Sequence, residues 1–433
     1  MRKLKRLLVL LLVIVTPFLL AACKSAKSPS SQTDKKVTIN FFNQKPEITS
    51  QYQKLIKMYQ KKHPNVSIQL TTSGQGGGAA ALQSKFSSGE APDIIMLGGL
   101  PEIDRYKDHL LTLKDMSAIK NTLPRLISGG MTEKHRLVGV PVDLEAYGWV
   151  INKEVFKKAG VNPDSIENYA EFVAAVKKID AQKDKLGLQG VFGFNGADTN
   201  SITSMSAQFT SDYYQNDQVK AFDSKKFPWE KEQRMKEYLH LVKRYSVKPI
   251  LSVKYDESIQ DLFYNGEVAM IPQGNWVIPT LDGLQDNWTQ EKMGMLPYFI
   301  KDDGTDELLT GSSWYLGVTN DHPSHQKVAK GFINWMYSSK EAQDVIINEI
   351  RFVPATKDFN IDRLPDDVSK EIYQVGTSKH AITPVHKQYP NGFANEVIGP
   401  MVQRYLVGKT SWDNLKKVVS NQYKQLKEVQ SGQ

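Results

Sequence analysis

The run Val37-Thr-Ile-Asn-Phe-Phe-Asn43, followed by Tyr52-Gln-Lys-Leu-Ile-Lys-Met-Tyr59 and then Val66-Ser-Ile-Gln-Leu-Thr-Thr72, decides the fold. Val37, Ile39 and Phe41 alternate with the period of two expected of a half-buried strand. Tyr52, Leu55, Ile56 and Tyr59 recur at helical spacing, and Pro64 ends that helix because it lacks an amide donor. Val66, Ile68 and Leu70 then alternate again. Strand, helix and strand in this order predict a β-α-β unit. Further along, Ile94-Ile-Met-Leu97 is a continuous apolar run, the signature of a strand covered on both faces by helices.

The pattern persists outward. Val138-Gly-Val-Pro-Val142, Tyr147-Gly-Trp-Val-Ile151, Val268-Ala-Met-Ile271 and Tyr315-Leu-Gly-Val318 read as strands. Phe172, Val173, Val176 and Ile179, the face Met235-Tyr238-Leu239-Val242, and the stripe Val328-Phe332-Ile333-Met336 read as helices packed on a core. Strands alternating with helices make the class α/β. With some 400 residues after residue 36, two lobes are expected rather than one core.

The N-terminus sets the compartment. Arg2, Lys3, Lys5 and Arg6 precede an apolar run from Leu7 to Leu20, too short to span a bilayer comfortably and of the length of an export signal. The run closes on Leu20-Ala-Ala-Cys23, which resembles the lipobox of bacterial lipoproteins and implies cleavage before Cys23 and a lipid on its sulfur. Cys23 is the only cysteine, so disulfides and thiolate metal sites are excluded. The polar stretch from residue 24 to Lys36 reads as a flexible tether. The net charge of +8 falls to +4 once the four basic residues of the head are set aside. No basic run interleaved with aromatics follows, which argues against nucleic acid as a partner.

Chemical motifs are sparse. The loop Thr72-Ser-Gly-Gln-Gly-Gly-Gly78 lacks both the P-loop ending and the G-x-G-x-x-G spacing, and reads as a backbone approach to a ligand or a mobile loop. His322-Pro-Ser-His325 has metal-like spacing, but Pro323 and the helix after it suggest a helix entry and no third ligand lies nearby in sequence; no metal site is assigned. Asp302-Asp-Gly-Thr-Asp-Glu307 lacks the order of a calcium loop. No nucleophile elbow or zincin motif is present, although a glycosidase carboxylate pair stays open. Two segments do stand out. In Gln273-Gly-Asn-Trp276 an indole sits beside an amide after an apolar strand, and Gly311-Ser-Ser-Trp-Tyr315 offers two ring faces after a small-residue turn. A sugar ring needs both a stacking face and directed polar groups.

Taken in order, these segments resemble the extracellular solute-binding proteins of ABC importers, in particular the sugar-binding group that includes maltose-binding protein. The lipobox is followed by Ser88-Gly-Glu-Ala-Pro-Asp-Ile94, Val138–Asp143, Tyr147–Lys153, Val155–Gly160 and the Glu171-Phe172 helix. Phe263–Met270 with Trp276, Gly311–Val318, Ala329–Trp335 and Val353–Lys357 complete the series. Phe41-Phe-Asn-Gln44 stands where a Trp is frequent, and Gly311-Ser-Ser-Trp314 where a Gly-Gly turn is commoner. Both departures fall where ligand identity is set.

The resemblance implies a signal over 1–22, an anchor and tether over 23–36, one lobe of 37–144 plus 297–339 and another of 146–294 plus 342–425. The chain would cross between lobes near Asp143–Tyr147, Met295–Tyr298 and Ser338–Glu341. It further implies a monomer without catalytic residues or cofactor, anchored by lipid on the outer face of the cell membrane, that captures a carbohydrate and presents it to an ABC permease. A peptide, polyamine or phosphorylated polyol as solute, and a glycoside hydrolase, are the alternatives. Candidate ligand contacts are Trp276 as the stacking platform, Asn275, Trp314, Tyr315, Gln44, Glu47, Asp143, Asn195, Asp198 and Arg351. Several of these lie at predicted strand ends, where open α/β sheets present ligand groups.

Overall fold

The computed structural model describes residues 36–74, 77–301 and 303–430. The expected signal, Cys23 and the tether up to residue 35 lie outside the described residues. Among the described residues, no helix is long and apolar enough to cross a membrane.

Two five-stranded sheets form the frame. The first contains β1 (Val37–Asn43), β2 (Val66–Thr72), β3 (Ile94–Leu97), β4 (Val140–Pro141) and, at the end of the series, Tyr315–Val318, in the order β2-β1-β3, Tyr315–Val318, β4. β1 runs parallel to β2 with Val37 opposite Val66, and parallel to β3 with Phe41 opposite Ile94. The helix Thr49–Lys62 makes the crossover, burying Tyr52, Leu55, Ile56 and Tyr59 as its spacing predicts.

The second sheet is built on β5 (Glu145–Asn152). Its other strands are β6 (Gly190–Phe192), β7 (Val268–Gly274), β8 (Met293–Leu296) and β9 (Leu309–Gly311), and Tyr315–Val318 of the first sheet is then β10. β7 flanks β5 on one side, and β8 and β9 share the other.

The inner strands β3, β5, β7 and β10 are buried along their whole length, which explains their near-continuous apolar sequence, whereas the edge strand β2 keeps Gln69 and Thr71 exposed. Ile39, Phe41, Ile94 and Met96 enter one core of the first sheet, while Phe42, Ile95 and Leu97 enter another. On β5, Trp149 and Ile151 face one core of the second sheet, and Ala146 and Val150 face the opposite one. Trp149 is fully buried and packs on Phe172, Phe192 and Tyr298, with ring centroids 5.7, 4.7 and 5.5 Å away.

The chain changes sheet between Pro141 and Glu145, and returns between Gly311 and Tyr315. The return lies beyond Met295–Tyr298, because Leu309–Gly311 pairs with Glu145–Tyr147 before the chain leaves the second sheet. A three-residue strand carries too little periodicity to announce this pairing in sequence. Helices Gln326–Ser338 and Lys340–Asn348 meet at Ser339, whose hydroxyl accepts the Ala342 amide. Val345, Ile346, Ile350 and Phe352 still pack in the first sheet's core, whereas Val353 packs in the second's.

Candidate functional site

Strand direction concentrates polar groups along one edge. β1, β2 and β3 all deliver their carboxyl ends there, followed by Gln44, Gly74 and Gly98, and antiparallel β10 begins there with Trp314 just before it. From the second sheet, β5 starts at this edge with Glu145 and Tyr147, and β7 ends there. The register sets Tyr147 opposite Gly274, two residues before Trp276. The result is a cleft of about 470 Å³ lined from both sheets.

Aromatic faces form part of each wall. The Trp276 ring lies 4.8 Å from that of Tyr147, and its Nε1–H donates to Gln273 Oε1 at 3.0 Å, which fixes the indole plane. The His386 ring also sits 5.1 Å from that of Tyr147. From the first sheet, Trp314 carries the Lys387 ammonium over its face at 4.0 Å. Gly274 is required here, because a Cβ would lie 2.1 Å from both Ala146 O and the Trp276 ring.

Charges in the cleft are largely partnered. Lys45 Nζ lies 2.8 Å from Glu145 Oε1 and 3.2 Å from Glu47 Oε1, tying the end of β1 to the start of β5. Burial alone would lower the Lys45 ammonium, but Glu145, Glu47 and Asp143 outweigh it and hold the group above the usual lysine range. The Tyr147 hydroxyl donates to Glu145 Oε2 at 3.1 Å and lies 2.5 Å from Ser313 Oγ. Glu102 Oε2 accepts the Gly98 amide at 2.8 Å and Gln44 Nε2 at 3.0 Å. Burial, reinforced by Lys387, drives His386 well below the ordinary imidazole range, which favours the neutral ring. Burial likewise lowers Lys387, with Glu102 and Glu145 opposing. Such a surface offers acceptors, a few donors and flat apolar faces.

Of the ten expected contacts, Gln44, Glu47, Asp198, Trp276 and Trp314 line the cleft. Gln44 is pressed against the glycine loop, for a Cβ on Gly78 would lie 1.9 Å from its Oε1. Asp198 Oδ2 accepts the Ser201 hydroxyl at 2.9 Å. The other five do not line this cleft. Asn275 is buried and its Oδ1 accepts the Ala146 amide at 2.9 Å, so it latches β7 to β5. Tyr315 is a fully buried residue of β10 whose hydroxyl donates towards Leu126 O and Ser312 O, each 3.2 Å away. Asn195 is fully buried, donating to Ser201 Oγ at 2.6 Å, and so stands behind Asp198 rather than in the cleft. Asp143 lies beneath the lysine network. Burial first, then Glu145, raises its carboxyl far above the usual range against the pull of Lys45. Arg351 pairs with Asp282 at 2.9 Å in a separate surface hollow.

Sequence reasoning missed Lys45, Glu102, Glu145, Gln273, His386 and Lys387, and did not count Tyr147, placed on a strand and at a crossing, among the ligand contacts. Glu145 had a readable signal, a carboxylate at the head of an apolar strand. His386 and Lys387 lie in a short helical turn without periodicity and had none.

A cleft between two α/β sheets, with aromatic walls and internally paired charges, is suited to holding a small polar solute. Residues 45–343, well over half of the chain, match the family of bacterial extracellular solute-binding proteins, and the chain belongs to that family. The multiple sugar-binding protein of Streptococcus mutans is 25% identical over 354 residues, covering 78% of this chain and 80% of its own. The arabinooligosaccharide-binding protein of Bacillus subtilis is 26% identical over 216 residues, and the match spans about half of each chain, 47% and 48%. The fold matches a Thermotoga lettingae solute-binding protein bound with α-D-tagatose, at TM-score 0.70, 22% identity, and 91% and 100% coverage of the two chains. It also matches a Bacillus licheniformis sugar transporter protein in complex with stachyose, at TM-score 0.70, 18% identity, and 90% and 100% coverage.

Proposed function

We propose that this protein captures a sugar or short oligosaccharide in the cleft and delivers it to an ABC permease, held at the cell surface by a lipid on Cys23. The observation that carries this reading is the set of ring faces, Trp276 and Tyr147 from one sheet and Trp314 from the other, interleaved with Gln44, Glu47 and Asp198. A sugar stacks its C–H face on an indole and directs its hydroxyls to carboxylates and amides. The names of the Streptococcus and Bacillus relatives support the ligand class. The carboxylates of the cleft argue against a polyamine, because Glu47 and Glu145 are already engaged by Lys45 and Glu102 by Gln44.

The two sheets with their helices act as lobes that move about the segments where the chain changes sheet. Ligand contacts drawn from both lobes favour the closed state, which the permease would recognise. Membership in a family of binding proteins supports reading the cleft as one that holds its ligand without altering it. A thermal-shift screen against mono- and oligosaccharides, with spermidine and a peptide pool as comparators, tests the reading. A ligand at a hundred times its Kd adds roughly 2.7 kcal/mol. Stabilisation by a comparator and by no sugar would overturn the sugar assignment, and new reducing ends after incubation would overturn pure binding.

A further inference from the structure

Far from the cleft, Asp93 meets the two histidines whose spacing the sequence singled out. Asp93 Oδ1 lies 2.9 Å from His322 Nδ1 and 2.9 Å from His325 Nδ1. All three potential ligand atoms fall within 4.8 Å of one another. We propose that Asp93, His322 and His325 form a binding site for a divalent transition metal of the zinc class.

Two nitrogens and one carboxylate oxygen are the donor set that zinc takes, at about 2.0–2.2 Å per bond. At tetrahedral angles such bonds hold ligand atoms roughly 3.4 Å apart, so small outward shifts of two rings suffice to admit the ion. The carboxylate is already oriented. Its second oxygen accepts the Asn40 amide at 2.7 Å, the outer contact that metal-bound carboxylates use. The Asp93 backbone is pinned as well, with its carbonyl accepting Thr319 N at 3.0 Å and that of Pro92 accepting Thr319 Oγ1 at 2.7 Å. Asp93 is only 3% exposed, whereas the histidine side chains are 39% and 27% exposed, which gives the ion an entry path and leaves room for water ligands.

The site is distinct from the ligand cleft and does not rest on the sugar reading. Asp93 precedes β3, whereas Gly98, which lines the cleft, follows it. The four-residue strand between them is about 13 Å long. A bound ion would tie the segment from Thr319 to His325, which leads from β10 into the helix Gln326–Ser338, to the amino end of β3. In the metal-free alternative, each imidazole Nδ1–H simply donates a hydrogen bond to Asp93 Oδ1.

The test uses the chain without an affinity tag, treated with EDTA and dialysed, and titrated calorimetrically with zinc chloride. Cobalt(II) serves as the optical probe of histidine ligation. One equivalent of zinc is expected, together with a rise in Tm. His322→Ala and His325→Ala should each weaken binding by roughly tenfold or more, while His240→Ala, whose ring bonds Tyr405 instead, leaves it unchanged. Asp93→Asn should also lose the metal; should that variant fail to fold, the two histidine variants decide. Absence of saturable uptake, or uptake unchanged in both histidine variants, would overturn the proposal.

Discussion

Lys45→Met tests whether the charge network between the sheets supports the fold of the cleft. The Lys45 and Glu145 side chains are 4% and 3% exposed, and Glu47 is 16% exposed. Each contact near 3 Å is worth about 5 kcal/mol at an effective dielectric of 20 before desolvation is charged against it. Removing the cation leaves Glu145 and Glu47 beside Asp143 with nothing to balance them. Breaking a buried pair from one side costs about 3–5 kcal/mol, mostly through the charge left behind. Lys45→Met is therefore expected to lose that amount in urea unfolding at pH 7. Glu145→Gln removes one carboxylate but leaves Lys45 with Glu47, so its loss should be smaller. The double variant should be more stable than the sum of the singles implies, by about 1 kcal/mol or more, because the two groups act on each other. A loss below about 1 kcal/mol for Lys45→Met, or strictly additive losses, would refute the reasoning. Either result would mean that the cleft supplies enough water to screen these charges.

Trp276→Ala should weaken binding of the sugar found in the screen by about 1–3 kcal/mol with little change in Tm; unchanged affinity in calorimetry would reduce Trp276 to a packing role beside Tyr147. Burial pushes the Lys427 ammonium down to about 8, with Asp223 opposing. An unfolded lysine titrates near 10.4, so from about pH 8 to 10 the unfolded chain holds more protons and stability rises with pH, by up to about 3 kcal/mol from this group. Lys427→Met should abolish that rise in urea unfolding measured across the window, and an identical pH profile would show that Lys427 stays charged in the fold. Cys23→Ser is expected to leave uncleaved or soluble protein on membrane fractionation, and a processed, detergent-partitioning product would refute lipidation.

The elements that sequence predicted well are those whose periodicity is local. The stripe Tyr52-Leu55-Ile56-Tyr59 needs only its own helix, Thr49–Lys62, to be read. Tyr315–Val318 is a strand with the bounds its apolar run suggests. Which face such a strand presents was not legible, since inner strands such as β10 are buried on both faces and period-two alternation vanishes in them. Tyr315 therefore looked as available as Trp314, yet one is in the core and the other lines the cleft. Long-range partners were hidden for a different reason. His322 lies 229 residues from Asp93, and strand order alone brings them together.

Asn275 shows why the polar residues at strand ends resist local reading. A strand's ladder of hydrogen bonds runs out where its ligand-facing groups begin, so an amide there has two competing uses. It can cap the neighbouring backbone, or it can face solvent and ligand. Here the β5–β7 register leaves the Ala146 amide needing an acceptor, and Asn275 Oδ1 supplies it at 2.9 Å. A buried amide left without a partner costs about 1–3 kcal/mol, which is enough to fix the side chain whatever the ligand might gain from it. Trp276, next in the chain, has no such backbone debt. Its indole donates to Gln273 while its face stays open to the cleft. The register between two strands more than a hundred residues apart thus assigns one neighbour to the fold and the other to the ligand.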